Sequence, residues 1–535
     1  MATSSSQEKS FLAALQDNLP SRLPQFLSQR RWFGGKARPI QSVEIPDIVP
    51  LNLVKSYLVL ARVNYTGGPV ETYALLLLRT SSEADASSLK IQPGNFAGEI
   101  ILKDALTDQQ FLTQLLEAIA KNTSLPGIKG QIRALSTSAL QSLWQPAQGS
   151  LTPSLMNAEQ SNSSVVYGKR LVLKIFRRVE PGLNPDLEIG SFLTEKSSFR
   201  NVPPLAGYLE YLDEQGATSS LGMLQGYVAN QGDAWQFTLK GLAEYYGKTP
   251  QLGSPGAGEI PHAPLVTLCT QPVPDEARQT IGPYLDSAVL LGRRTAELHL
   301  ALASAPDDPD FAPQAILESD HRAFANSAAQ LLTANFELLR RLKNRMPDQT
   351  RQEADKILQL EEIARRRFKV LTQLKSTAMV TRIHGDYHLG QVLFTGSDFV
   401  IIDFEGEPAR SLAERRKKRS PLQDVAGMLR SYHYAAYAPL LQQTSRERSR
   451  HEDLQALAPR AQYWQKWVSA AFLKSYLDVA GNAIFIPKGR EELALLLDLY
   501  LLDKAVYELG YELNNRPSWV RIPLDGIAQL LQDSD

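Results

Sequence analysis

The chain has almost no cysteine. Cys269 stands alone among 535 residues, so no disulfide can form within the chain and a reducing compartment is expected. Net charge is also missing: 57 Lys and Arg balance 57 Asp and Glu, and nothing points to a polyanionic partner such as nucleic acid. No apolar run approaches the ~20 residues of a membrane-spanning helix. The first residues, Met1 to Lys9 (MATSSSQEK), lack the basic start and apolar core of a signal peptide. A cytoplasmic location and no membrane partner are therefore expected. No internal repeat is visible. What remains is a composition 43% apolar and 21% charged, ordinary for a globular protein and long enough for two to four domains.

One segment carries most of the chemistry. Arg382-Ile383-His384-Gly385-Asp386-Tyr387-His388-Leu389-Gly390-Gln391 reads as an apolar strand running into a polar loop. Asp386 is followed by an amide, Gln391, five positions on. A hairpin is predicted next, with Gln391 to Phe394 and Phe399 to Ile402 as its strands and Thr395-Gly396-Ser397 as its turn. It ends in a second carboxylate, Asp403, with Glu405 beyond. A carboxylate that accepts the proton of an acceptor hydroxyl, then an amide and a carboxylate that hold magnesium on nucleotide phosphates, is the layout of a kinase site. The blander reading is a buried polar turn between strands.

A second part lies upstream. Ser161, Ser163 and Ser164 belong to a polar turn whose hydroxyls suit phosphate oxygens, although neither Gly-x-Gly-x-x-Gly nor a Walker loop occurs there. Lys174 follows, inside the apolar strand Leu171 to Phe176. An ammonium there is costly unless paired. Glu188, on a helix predicted from Asp186 to Leu193, is the expected partner. Near the C-terminus, Leu499, Leu502, Val506, Leu509 and Leu513 form an apolar helical stripe. Lys504, Tyr507, Glu508, Tyr511 and Glu512 share another side of that helix. Rings beside carboxylates and a lysine suit a sugar, but the pattern alone better describes tyrosines packed on a core.

Taken together these segments resemble bacterial maltokinases. The resemblance rests on His384-Gly385-Asp386 through Gln391, Asp403-Phe404-Glu405-Gly406-Glu407-Pro408, Arg415-Arg416-Lys417 and Ser420 to Leu429. It extends to Glu159-Gln160-Ser161-Asn162-Ser163-Ser164, to Arg30-Arg31-Trp32-Phe33-Gly34-Gly35-Lys36 and to Asn515-Arg516-Pro517. It spans nearly the whole chain. It implies an α+β, bilobal protein-kinase-like fold of the aminoglycoside-phosphotransferase branch, with an extra N-terminal cap domain and a mostly helical C-lobe. It implies ATP and Mg2+ as cofactors and maltose as acceptor. The product would be maltose 1-phosphate, feeding α-glucan (glycogen) synthesis from trehalose, with trehalose synthase as an associated protein. It puts the sugar on Lys504, Tyr507, Glu508, Tyr511 and Glu512, with Asp386 and His388 beside it. Gln391 departs from the asparagine usual in kinase-like enzymes; its carbonyl reaches a metal from one methylene further out.

The expected blocks are a cap domain (1–130), a strand-rich ATP lobe (131–228) and a helical catalytic and sugar-binding lobe (229–535). The ATP lobe ends in an adenine hinge at Gln225, Tyr227 and Val228. Gly247 to Glu276 reads as an inserted surface loop. Trp32 reads as a local core anchor or a functional patch, and Arg415 to Arg419 as a phosphate contact or a solvated loop. Two other functions stay open: a kinase of another sugar, such as glucosamine, trehalose or glucose, and an inactive kinase-like binding module in a trehalose-synthase complex.

Overall fold

A computed structural model of the chain describes residues 2–51, 53–81, 88–92, 99–145, 148–156, 161–248, 260–444 and 451–532. These divide into two compact units, Met1–Lys196 with Val202–Ala229, and Ser197–Asn201 with Asn230–Asp535.

The first unit opens with α1 (Ala2–Ser28). Its Phe11, Leu15, Leu19, Leu23 and Leu27 recur every four residues and are buried, so one face of the helix packs on a sheet. That sheet holds β1 (Ile40–Pro50), β2 (Ser56–Tyr65), β3 (Glu71–Thr80), β4 (Leu89–Ile91) and β5 (Ile100–Asp104), in the order β1-β2-β3-β5-β4. Next comes α2 (Gln109–Ala120), where the Asp108 side chain accepts from the Phe111 amide at 2.9 Å, an ordinary N-cap.

A second sheet of seven strands follows. Its strands are β6 (Ser124–Pro126), β7 (Gln131–Ser136), β8 (Pro153–Leu155), β9 (Asn162–Tyr167), β10 (Leu171–Phe176), β12 (Leu205–Leu212) and β13 (Thr218–Gly226), ordered β6-β7-β12-β13-β10-β9-β8. The short α3 (Leu140–Leu143) precedes β8, and α4 (Pro185–Glu195) precedes β12. Between β10 and α4, the two-residue β11 (Arg178–Val179) leaves this sheet and pairs with β3 of the first. One apolar core serves both sheets: Leu58 and Leu76 of the first, Val165, Leu173 and Ile175 of the second, and Leu112, Leu115 and Ile119 of α2 lie in a single buried cluster.

The second unit is mainly helical: α5 (Ala234–Lys248), α6 (Leu265–Leu268), α7 (Asp275–Ile281), α8 (Tyr284–Leu302), α9 (Glu318–Leu342), α10 (Asp348–Gln359) and α11 (Glu361–Val370), then α12 (Leu412–Arg415), α13 (Leu422–Thr444), α14 (His451–Ala480), α15 (Arg490–Asn515) and α16 (Arg521–Gln532). Two small ladders interrupt it, β14 (Gln314–Ala315) with β15 (Met379–Val380), and β16 (Val392–Phe394) with β17 (Phe399–Ile401). The apolar stripe predicted on the last long helix is real: Leu499, Leu502, Val506, Leu509 and Leu513 are all buried on α15, each contributing roughly 1.5–3 kcal/mol.

The expected loop from Gly247 to Glu276 needs correction at its far end. Thr249 to Gly258 lie outside the described residues, but α6 buries Val266 and Leu268. Cys269 is 3% exposed beside them, and burial pushes its thiol above the usual range. Apolar side chains recurring at helical spacing were enough to fold this stretch inward.

Candidate active site

The site in the second unit is a loop held by a buried carboxylate. β15 leads into residues 381–391, and Thr381 pairs with Arg419 through two backbone hydrogen bonds of 3.0 and 2.8 Å. The chain then turns at Gly385, with φ +85°; a Cβ there would sit 3.3 Å from the Cα of Gly406. Asp424, in the first turn of α13, is 2% exposed. Its carboxylate accepts the His384 amide at 2.7 Å and the Gly385 amide at 2.9 Å. His299 Nε2 on α8 stands 3.1 Å from the same group. Burial alone would raise the Asp424 pKa; His299, His384 and the Gly385 amide outweigh it and hold it below the usual carboxylate range. Helix α13 can approach this closely because Gly427 has no side chain: a Cβ there would lie 2.5 Å from the Tyr387 carbonyl oxygen.

Asp424→Ala should therefore unfold at lower denaturant, by about 2–5 kcal/mol, since two buried amides lose their acceptor. Asp424→Asn, which keeps an acceptor oxygen, should lose less. Denaturant midpoints equal to that of the unmodified chain would show that another group holds the loop.

The predicted hairpin forms, each strand one residue shorter at its outer end. Val392 pairs Ile401, Leu393 pairs Val400 and Phe394 pairs Phe399. The Ile402 amide donates to the Gln391 carbonyl at 3.0 Å, which sets Gln391 beside Asp403. The Gln391 Nε2 donates to Asp403 Oδ2 at 2.8 Å. His384 Nε2 lies 2.9 Å from the Ile402 carbonyl and so carries the proton. Its ring sits between Tyr387 and Phe404, with centroids 5.2 and 4.9 Å away. Asp403 itself has φ +68°, a conformation that costs roughly 1–3 kcal/mol outside glycine and gathers at functional positions. Carboxylate oxygens of Asp403 and Glu405 lie within 4.8 Å of one another, and Arg415 Nη1 donates to the Glu405 carbonyl at 3.1 Å. Two carboxylates and an amide form an all-oxygen donor set, which fits a hard divalent cation such as magnesium.

α15 brings Lys504 to this loop. Its Nζ is 3.5 Å from Asp386 Oδ1 and 4.9 Å from the centre of the Tyr507 ring. Burial would lower the Lys504 pKa; Asp386, Glu508 and Glu407 overcome that and hold it above the usual lysine value. From Lys504 and Tyr507 a cleft of about 950 Å3 extends along the second unit. One wall is α9, where Phe324 meets Tyr500 edge-on at 5.3 Å. The other carries Glu407, Arg410 and the basic run from Arg416 to Arg419. Arg410 Nε donates to Glu407 Oε2 at 2.6 Å. Asp503 also lines the cleft, and burial pushes its carboxyl up to about 6.

In the first unit, β10 lies between β9 and β13, with Lys174 opposite Ser164 and Met223. The Lys174 Nζ is 2.9 Å from Asp186 Oδ2. Asn184 caps α4 by accepting the Asp186 amide at 2.8 Å, and Pro185 opens the helix. Glu188, also buried, lies two residues further on the same helix. β13 ends at Gly226, after which the Tyr227 amide donates to the Arg170 carbonyl at 2.8 Å; Gln225, Tyr227 and Val228 are half-buried.

The family described as "Maltokinase N-terminal cap domain" matches residues 26–108, and "Phosphotransferase enzyme family" matches residues 278–459. The chain joins a maltokinase cap domain to a phosphotransferase-family domain of kinase-like fold. Asp386, Gln391, Asp403 and Asp424 all fall inside the phosphotransferase match. A glucosamine kinase of Streptacidiphilus jiangxiensis is 23% identical over 388 residues, covering 70% of this chain and 72% of the relative. A glucosamine kinase of Mycolicibacterium smegmatis is 21% identical over 382 residues, covering 71% and 79%. Among solved structures, a glucosamine kinase in complex with glucosamine, ADP and inorganic phosphate superposes with a TM-score of 0.61 at 17% identity, covering 95% of this chain and 98% of that one. That likeness shows the fold. A phosphotransferase-family domain of kinase-like fold implies ATP and a divalent metal. Among the described residues no helix is long and apolar enough to cross a membrane.

The residues singled out from sequence fall differently around the phosphotransferase domain and the strands before it. Asp386, Lys504 and Tyr507 stand together, as do Gln391, Asp403 and Glu405. His388 caps the short turn after it, accepting the Gly390 amide on Nδ1 at 3.0 Å, and burial pushes its pKa below the usual histidine value. Glu508 is engaged by Arg430 through Nε and Nη2 at 2.9 and 2.6 Å. Glu512 is held by Arg516 and by the Tyr434 hydroxyl at 3.1 Å. Tyr511 is 46% exposed, with the Arg516 guanidinium 5.4 Å from its ring centre. Ser161 is exposed, whereas Ser163 and Ser164 lie buried in β9 and not in a turn. Ala158, Glu159 and Gln160 lie outside the described residues. Sequence reasoning missed Asp186, Glu407, Arg410, Asp424, His299 and Asp503. A polar residue interrupting an apolar helix was the available signal for His299 and Asp424.

Proposed function

We propose that the chain transfers the γ-phosphoryl group of ATP to the anomeric hydroxyl of maltose, giving maltose 1-phosphate for α-glucan (glycogen) synthesis. The observation that carries this reading is Asp386 facing, at 3.5 Å, the Lys504 that lines a large cleft. Asp386 orients the acceptor hydroxyl and takes its proton as the oxygen bonds to the γ-phosphorus and the bond to the ADP oxygen breaks. Lys504 fixes the direction of that carboxylate. Lys174, held by Asp186 with Glu188 on the same helix, contacts the nucleotide phosphates, with Ser161 and Ser164 as further donors, Ser163 seating the strand behind them, and Gln225, Tyr227 and Val228 along the adenine. Gln391, Asp403 and Glu405 would hold magnesium, which neutralises phosphate charge when bound. Tyr507 offers a ring face to the sugar; His388 shapes the loop beneath it. Glu508, Tyr511 and Glu512 set the end of α15 from which Lys504 and Tyr507 project. We read the three parts of the chain as cap (1–130), ATP lobe (131–228) and catalytic lobe (229–535), working in the cytoplasm with trehalose synthase nearby.

The second reading is glucosamine as acceptor, favoured by the names of the relatives. Charge weighs against it. Seven cationic side chains line the cleft against five acidic ones, a surrounding that suits a neutral sugar better than an ammonium. A panel of maltose, glucosamine, glucose and trehalose with ATP and magnesium, read by phosphorus NMR, tests both. A glucosamine phosphate as the sole product would overturn the maltose assignment, and no phosphorylated sugar at all would overturn the kinase reading. Tyr507→Ala should raise the maltose KM about tenfold to a hundredfold with little change in the ATP KM. A lower Tm with both KM values unchanged would return Tyr507 to the scaffold.

A further inference from the structure

The cap domain holds none of the residues assigned above, yet one buried cation ties it to the nucleotide strands. Arg177 follows β10, three positions after Lys174, and is 2% exposed. Its Nε donates to Ser163 Oγ on β9 at 2.8 Å, and its Nη2 donates to Asp104 Oδ2 at the end of β5 at 2.7 Å. The Trp32 ring lies under the guanidinium, 4.8 Å from its Cζ. The Arg177 carbonyl accepts the Ala74 amide at 2.8 Å, so the backbone enters the cap sheet where the side chain bridges back. Asp104 is itself fixed, since its other oxygen accepts the Leu106 amide at 3.1 Å. Both Trp32 and Asp104 lie inside the matched cap domain.

Adhesion alone does not explain a buried guanidinium here. The two sheets already share an apolar core, and a well-packed apolar residue would hold them as well or better than a desolvated ion pair. A planar fork that meets two acceptors and one ring face fixes directions. Ser163 gains most from this. Its oxygen accepts from Arg177, which ties β9 to the cap. Ser163 pairs with Ile175, so its side chain lies on the face opposite to Lys174, and the clamp seats from behind the strand whose Ser164 shares the face of Lys174.

We propose that the cap domain positions the nucleotide-binding strands through the Trp32–Arg177–Asp104 clamp on Ser163, making Arg177 a positioning residue for ATP. This rests on the kinase reading. The test compares Arg177→Lys, Asp104→Ala, Asp104→Asn and Ser163→Ala with the unmodified chain for Mg-ATP affinity by calorimetry, for both KM values and for Tm. Arg177→Lys and Asp104→Ala should weaken Mg-ATP binding and raise the ATP KM about tenfold, with the acceptor KM within about twofold. Asp104→Asn, which keeps an acceptor oxygen, should recover most of the loss. Ser163→Ala, the variant least able to disturb folding, should reproduce the ATP-selective effect. Unchanged Mg-ATP affinity in folded Ser163→Ala and Asp104→Ala, or equal rises in both KM values, would overturn the clamp while leaving the kinase reading intact. An unmodified chain that binds no Mg-ATP would overturn both.

Discussion

Asp386→Asn is expected to lower kcat by about a thousandfold or more while leaving Mg-ATP affinity nearly unchanged. The substitution keeps the size of the side chain but removes the group that accepts the proton, a role typically worth about 10²–10⁴ in rate. It also removes the first of the charges that hold the Lys504 pKa up, so that lysine should titrate lower in the variant. Steady-state kinetics with the acceptor, together with calorimetry of Mg-ATP, separates chemistry from binding. Turnover within tenfold of normal would mean that the proton leaves by another route and that the Lys504–Asp386 pair is a local contact.

Asp403→Ala should abolish measurable turnover and weaken magnesium-dependent nucleotide binding. Charge and backbone both contribute, and they are separable. Alanine removes a carboxylate suited to a hard cation, and it also takes the partner of Gln391 Nε2 and sits poorly at φ +68°. Asp403→Asn tolerates that backbone and keeps an oxygen for Gln391 but lacks the charge. The expected order is near-normal Tm for Asp403→Asn, a lower Tm for Asp403→Ala, and no activity in either. Magnesium-dependent ATP binding of ordinary strength in Asp403→Asn would place the metal elsewhere.

The cap shows where local pattern reaches its limit. Trp32, with Arg30 and Arg31, reads as a core anchor or a functional patch, and nothing within those residues chooses between them. The choice depends on Arg177, which lies 145 positions from Trp32 in the chain and reaches it only because β11 crosses into the cap sheet. The α15 face is similar. Helical periodicity correctly groups Lys504, Tyr507, Glu508, Tyr511 and Glu512 on one side, but it is silent about neighbours. Arg430 on α13 takes Glu508, Arg516 and Tyr434 take Glu512, and Lys504 meets Asp386 with the Tyr507 ring beside its ammonium.

By itself the sequence determined the parts whose physics is local. The Asp386–Gln391–Asp403 hairpin, the strand around Lys174 and the buried stripe of α15 follow from strand and helix periods, turn residues and short spacings, whereas the α+β class with its cap was implied by the resemblance of whole motifs. Tertiary structure decided which charges are spent. Asp424 is committed to two amides of the Asp386 loop, Asp186 to Lys174, and Arg177 to Ser163 and Asp104. Burying a charge is costly until a partner arrives. That partner comes from whichever element the fold packs alongside, at a distance along the chain that no residue spacing encodes.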